Sequence, residues 1–234
     1  MENKEPVVTA IIVAAGTGTR MGGVEKPLIR LGGKTVFSML LESFSACATV
    51  RDIIVVCRSD SNLRPIASGF TAKPITFVQG GSTRAESVMN GVRAAADSDI
   101  VCIHDGARPF ITAQQIDDVV SACFKTGASC ACRAVSDTIK FTDGNGHAEY
   151  TPPRDRLIAV QTPQVFRRDL YLVSAAVCKK KKLGFTDDTS LAESAGFSVT
   201  YIDIGDGNDK LTTVTDIKRA KARVFLEERF EKGE

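Results

Sequence analysis

Apolar positions along this chain follow two alternating patterns. Short, nearly continuous apolar runs are separated by longer stretches in which apolar residues recur at helical spacing. The runs predict strands at Val7–Ala14, Asp52–Arg58, Ile75–Gln79, Asp99–His104, Ala128–Val135 and Ser198–Ile204. The spaced stretches predict helices near Thr35–Ala46, Thr83–Ala96, Thr112–Thr126, Arg167–Lys182, Asp187–Ala195 and Val214–Glu231. Strands separated by amphipathic helices form βαβ units, so the expected class is α/β, a Rossmann-like, mostly parallel sheet flanked by helices. Right-handed crossovers then place the loop after each strand on one edge of the sheet, where such folds bind ligands.

One stretch breaks this rhythm. Residues Asp137–Gln161 contain β-like runs around Asp143-Gly144-Asn145-Gly146 and then Pro152-Pro153, with little apolar material for a core. The turn residues predict a β-hairpin. It is either an arm reaching onto a neighbouring subunit or a surface excursion. No repeats or low-complexity segments interrupt the chain, and its 234 residues suffice for one full core. A single domain over 1–234, with a protruding hairpin at about 137–161, is the expected organisation.

Composition narrows the possible partners. Thirty Lys and Arg balance 28 Asp and Glu, so no basic field points to nucleic acid. The only basic run, Lys179 to Lys182, reads as a solvated helix end. No apolar stretch reaches the roughly 18 residues that a membrane span needs, and residues 1–6 are polar and unlike a secretory leader. Seven cysteines are an odd number without a C-x-x-C pair. They fit a reduced, cytoplasmic protein in which Cys serves as a small hydrophobe rather than a metal ligand. Cys130 and Cys132, two apart on a strand, share one face.

Candidate chemistry begins where the first strand ends, at Ala14-Ala15-Gly16-Thr17-Gly18-Thr19-Arg20-Met21-Gly22-Gly23, with Lys26 following. Glycines let successive N–H groups turn inward as an anion nest, and Arg20 and Lys26 add charge suited to phosphate. The loop is not a P-loop, because no Lys followed by Ser or Thr closes it, and Met21 stands where a dinucleotide fingerprint needs its third glycine. A second glycine loop, Gly80-Gly81-Ser82-Thr83, leads into a helix whose Thr83 and Glu86 fit a capping box. Capping and anion binding by the loop's remaining donors are compatible there. After the fourth strand, Asp105 is placed to meet Mg²⁺ or sugar hydroxyls, or to cap its own turn. His104 reads as a core histidine. With His147 the only other one and no elbow serine, the sequence speaks against a hydrolytic triad.

Three segments in order, Ala14-Ala15-Gly16-x-Gly18-x-Arg20-Met21, Gly80-Gly81-x-x-Arg84-x-x-Ser87-Val88 and His104-Asp105-Gly106-Ala107-Arg108-Pro109, open a series. It continues through Asp137-Thr138-Ile139-Lys140, Gln161-Thr162-Pro163-Gln164, Thr186-Asp187-Asp188 and Lys210-Leu211-Thr212. The ordered set resembles the 2-C-methyl-D-erythritol 4-phosphate cytidylyltransferases over nearly the whole chain. That resemblance implies a nucleotidyltransferase fold, CTP and methylerythritol phosphate as substrates, Mg²⁺, and a homodimer whose arm reaches the partner's site. It implies catalytic roles for Arg20, Lys26, Arg154 and Lys210. Ala14, Ala15, Gly16, Gly81, Ser82, Ser87 and Asp105 would hold the nucleotide, with Asp105 also on the metal side. Arg108, Thr138, Thr162 and Thr186 would surround the acceptor. Related enzymes use ribitol 5-phosphate instead, and a nucleotide-binding module without turnover is the reading from another class. The chain departs from the family in placing Lys26 one residue nearer Arg20, in following it with Pro27, and in carrying Ile158 where tryptophan is usual. Of two arm arginines, counting back from Gln161 selects Arg154 over Arg156.

Overall fold

A computed structural model of the protein describes residues 6–16, 18 and 22–231. In chain order it contains β1 (Val8–Val13), β2 (Arg30–Leu31), β3 (Lys34–Thr35), α1 (Val36–Ala46), β4 (Asp52–Cys57), α2 (Arg64–Ala67), β5 (Ile75–Gln79), α3 (Arg84–Ala94) and β6 (Ile100–Asp105). There follow α4 (Ala113–Thr126), β7 (Ala128–Ala134), β8 (Phe141–Thr142), β9 (Ala148–Tyr150), β10 (Ile158–Arg167), α5 (Arg168–Lys181), α6 (Asp188–Ser194), β11 (Thr200–Asp203) and α7 (Val214–Glu231). Side-chain oxygens of Thr35, Thr83, Thr112 and Asp187 accept the third backbone N–H of α1, α3, α4 and α6, which sets where each helix starts.

Seven strands form one sheet in the order β11-β7-β10-β6-β1-β4-β5. All neighbours are parallel except β10, which runs antiparallel to both β6 and β7. Alternate residues of β1 serve opposite faces. Ala10 and Ile12 pack into a core with α1 and α4, while Ile11 packs with Val88 and Val92 of α3 and with Tyr171 and Leu191 behind. From β1 the chain winds outward through β4 and β5, then returns to lay β6 on the other side. The β1–β6 seam is therefore the point where strand order reverses, and its carboxyl ends open a crevice.

The expected strands and helices are present, with ends displaced by one or two residues. β10 is a correction. No strand was expected at 158–167, because Thr162-Pro163 breaks its apolar pattern and proline is foreign to central strands outside irregularities. Here the pairing with β7 shifts register between Val160 and Gln164, and that irregularity holds the Thr-Pro pair. The arm accordingly ends before Ile158 rather than at Gln161. Within it β8 and β9 pair as expected, Phe141 stacking on Tyr150 at 4.6 Å. The short β2–β3 hairpin and α2 were also not anticipated.

All seven cysteines are free and buried. Burial pushes the Cys57 thiol up to about 11 and Cys123 up to about 12, leaving both protonated and inert at neutral pH. Lys179 to Lys182 are exposed at the C-terminal end of α5, as expected of a solvated helix end. No helix among the described residues is long and apolar enough to cross a membrane.

Candidate functional site

The loops after β6, β1, β4 and β5 line a cavity of about 300 Å³ on the carboxyl edge of the sheet. The backbone fastens these loops together: Ala14 N donates to Val56 O, Gly80 N to Cys57 O and Gly106 N to Val13 O. Two glycines allow the fit. A Cβ on Gly18, at φ +60°, would lie 2.2 Å from Val24 O, and one on Gly80 would lie 2.4 Å from the Ala15 Cβ. Of the residues singled out in the sequence, Ala14, Ala15, Gly16, Lys26, Gly81, Ser82, Ser87, Asp105 and Lys210 line this one cavity. Arg20 lies outside the described residues.

The Gly80 loop differs from expectation. Gly81 N donates to Ser87 Oγ at 3.0 Å and Ser82 N to Glu86 Oε2 at 2.8 Å, so those backbone donors are engaged by the helix that follows. Thr83 caps α3, but Glu86 turns to Ser82 rather than back to the Thr83 N–H, and the capping box is only half formed. The loop shapes the wall; its Gly81 and Ser82 N–H groups are not spare anion donors.

Asp105 is the electrostatic centre. Lys210 Nζ lies 2.6 Å from its Oδ2, Arg84 Nε 3.3 Å from its Oδ1, and Arg108 Nε 3.7 Å from Oδ2, an ion pair beyond hydrogen-bond range. Burial alone would raise this carboxyl, yet Arg84, Lys210 and Arg108 together hold it well below the usual carboxylate range. It stays ionised wherever the protein is folded near neutrality. A single carboxylate facing a cavity suits a hard cation that takes its other ligands from phosphates and water, which is how Mg²⁺ is held. Both Asp105 oxygens are engaged by Arg84, Lys210 and Arg108, so such an ion would have to share the carboxylate with these cations.

Behind Asp105 runs a closed circuit of polar contacts. Arg84 Nη1 pairs with Asp188 Oδ2 at 2.7 Å, and the Asp188 N–H donates to Gln164 Oε1. Gln164 Nε2 donates to Gln161 O, Asn208 Nδ2 donates to Gln161 Oε1, and Arg108 Nη1 donates to Asn208 O at 2.7 Å, returning to Asp105. Thr162 stands inside this circuit, its hydroxyl accepting the Asp105 N–H at 3.1 Å and sharing a hydrogen bond with His104 Nδ1. Thr162 and Arg108 therefore brace the site from beneath and do not line the cavity. Thr186 sits exposed before α6, its N–H bonded to Ser190 Oγ. Thr138 and Arg154 are brought together on the exposed arm, Arg154 Nη2 donating to Thr138 Oγ1 at 3.1 Å, away from the cavity lining.

Sequence reasoning gave no site role to Arg58 or Arg84, both of which line the cavity. Arg58 could have been noticed as the first residue past the β4 run. Arg84 stood out only as a member of the Gly80-Gly81-x-x-Arg84 motif, with no role, because the two carboxylates it joins lie 21 and 104 residues away in sequence.

His104 is the core histidine expected. It is fully buried, packs edge-on against Phe44, and is pushed down from 6.5 to about 4 by burial, against the hydrogen bond to Arg108 O. A depressed folded value means neutral His104 supports the fold above pH 6.5, and that support is lost as pH falls towards 4. At its limit the loss is about 3 kcal/mol. Asp188 acts oppositely, since burial raises its carboxyl and its contribution is lost as pH rises from 3.8. Asp105, lowered, costs stability only below 3.8. Denaturant unfolding across pH 4–6.5 should therefore show a decline in stability that His104→Gln flattens; an unchanged slope in that variant would remove His104 as its source.

The family model for 2-C-methyl-D-erythritol 4-phosphate cytidylyltransferase matches residues 8–227. The chain is 38% identical over 213 residues to the enzyme of that name from Clostridium novyi, covering 89% of this chain and 92% of that one. It is 38% identical over 222 residues to a bifunctional IspD/IspF enzyme from Desulforudis audaxviator, covering 91% of this chain but 55% of the relative, so it spans about half of that longer protein. Among solved structures, the 4-diphosphocytidyl-2C-methyl-D-erythritol synthase from Anaerococcus prevotii superposes with a TM-score of 0.85 at 30% identity, covering 94% and 96% of the two chains.

Proposed function

Because this chain belongs to the 2-C-methyl-D-erythritol 4-phosphate cytidylyltransferase family, we propose that it makes CDP-methylerythritol and pyrophosphate from CTP and methylerythritol phosphate. One observation carries the proposal: Lys26, Asp105 and Lys210 meet in a single cleft at the seam where strand order reverses. A binding module has no need of that convergence of cations around one buried carboxylate.

In the proposed reaction an acceptor phosphate oxygen forms a bond to the α-phosphorus of CTP. The bond from that phosphorus to the bridging oxygen breaks, and its electron pair leaves with pyrophosphate. No covalent protein intermediate is needed, so catalysis rests on alignment and fixed charge. Ala14, Ala15, Gly16, Gly81, Ser82 and Ser87 form the nucleotide wall, and Asp105 meets the ribose. Lys26 and Arg20 face charge accumulating on the triphosphate. Lys210 and Arg154 orient the acceptor phosphate, with Arg108, Thr138, Thr162 and Thr186 behind them. Asp105 would hold Mg²⁺, which when bound with the triphosphate supplies neutralisation of the leaving pyrophosphate. We read residues 1–234 as one nucleotidyltransferase domain of a cytoplasmic homodimer, the arm carrying Thr138 and Arg154 to the partner's cleft.

Pyrophosphate release on mixing the protein with CTP, Mg²⁺ and one polyol phosphate at a time tests this reading. Release with methylerythritol phosphate and little with ribitol 5-phosphate is expected, in keeping with the names its relatives bear. Preference for ribitol 5-phosphate would reassign the acceptor, and silence with every pair would leave only a binding module.

A further inference from the structure

Arg84 stands apart from the other cations of the cleft. Lys210 and Arg108 each form an ion pair with Asp105, whereas Arg84 pairs with two carboxylates, Asp105 and Asp188. Its fork spans from Asp105, at the end of β6, to Asp188, in the first turn of α6. Each end of this bridge is fixed. The Asp188 side chain is 1% exposed, its second oxygen accepts the Tyr171 hydroxyl at 2.9 Å, and Gln164 Oε1 accepts the N–H groups of both Asp188 and Thr189. Asp105 is held through its N–H by Thr162. A planar guanidinium with donors on separate nitrogens sets the distance between two carboxylates, which a single ammonium does not.

The two ends belong to different halves of the reaction. Asp105 lines the nucleotide cavity, and Asp188 lies two residues past Thr186, in the segment assigned to the acceptor. We infer that Arg84 is a positioning residue that locks the acceptor-side loop before α6 to the nucleotide-side carboxylate, so that the attacking phosphate and the α-phosphorus share one frame. This inference rests on the cytidylyltransferase reading above. It gives the Arg84 and Asp188 positions a task beyond packing. Removing the bridge leaves the nucleotide wall formed by the β1 and β5 loops in place, because their own backbone hydrogen bonds hold them. What is lost is the register of the acceptor side.

Two variants of the full chain separate this from a purely structural ion pair. Asp188→Asn keeps the shape and the partners from Tyr171 and Gln164 but removes the charge that Arg84 answers. Arg84→Lys keeps the charge and loses the fork. Both should raise the acceptor KM about tenfold and combine without a further loss, and Asp188→Asn, which lies outside the nucleotide cavity lining, should leave CTP affinity, measured calorimetrically without acceptor, within about twofold. Effects that multiply in the double variant would overturn the inference. So would an unchanged acceptor KM in Asp188→Asn, or a fall in that variant's CTP affinity in step with its thermal midpoint. Should Arg84→Lys fail to fold, the acceptor KM of Asp188→Asn decides alone. Wild-type turnover is measured first: an inactive wild type sinks both readings, while an active one whose variants show no split sinks only this inference.

Discussion

Replacing Lys26 by alanine lowers kcat by about a hundredfold or more, the scale on which lost transition-state electrostatics is felt. Lys26 opens a 3₁₀ turn, Lys26–Leu28, anchored by buried Pro27 and closed by Leu28 N donating to Glu25 O and Ile29 N to Lys26 O. The turn fixes the backbone at Lys26, whose side chain lines the cleft. Pro27 suits the place, since a residue at the start of such a turn needs no N–H for the helix. Substrate affinity should change less than kcat, because charge on the triphosphate grows most as the bridging bond breaks. Arg20→Ala is expected to fall by a similar factor for the same reason. A near-normal kcat in Lys26→Ala would remove the residue from the mechanism.

The second large effect is a restoration. Arg154→Ala and Lys26→Ala should each be nearly inactive alone, yet mixing the two chains should recover about a quarter of the sites if the arm acts across a dimer. The reasoning is geometric. In a mixed dimer one cleft has an intact Lys26 and takes Arg154 from its partner, while the other cleft lacks both. If Arg154 served its own cleft, no mixed dimer would hold a complete site and the mixture would stay inactive. Loss of activity in Arg156→Ala alone, with Arg154→Ala alone remaining active, would mean that counting back from Gln161 chose the wrong arginine. The pairing of Arg154 with Thr138 keeps both proposed acceptor contacts together at one place on the arm.

Local sequence carried much of the architecture. Every expected βα unit is present, because continuous apolar strands and spaced apolar helices are patterns that short stretches reveal. The hairpin at Asp143-Gly144-Asn145-Gly146 was legible for the same reason: Gly144 and Gly146 adopt positive φ, and Asp143 accepts the N–H of Asn145. Three features were not legible. β10 hides behind a proline whose place in a central strand depends on an irregular pairing with β7. The donors of the Gly80 loop looked available, whereas Ser87 and Glu86 from the next helix claim two of them. Arg84 acquires its role only from carboxylates that tertiary structure brings near, and no local pattern encodes a pairing of that kind. Chemistry at strand ends could be read; its bracing could not.

The arm described above has an evolutionary consequence. Phe141 and Tyr150 stack on one another, Lys140 reaches Thr151, and the hairpin residues are exposed in the single chain, so the chain's own core does not depend on them. Substitutions there are borne by the hairpin and not by the seven-stranded sheet. Inherited variation can accumulate at the tip while the strands below remain under the stricter selection that a close-packed interior imposes. A molecule divided in this way can trial new surfaces for its acceptor without risking the fold that holds its nucleotide.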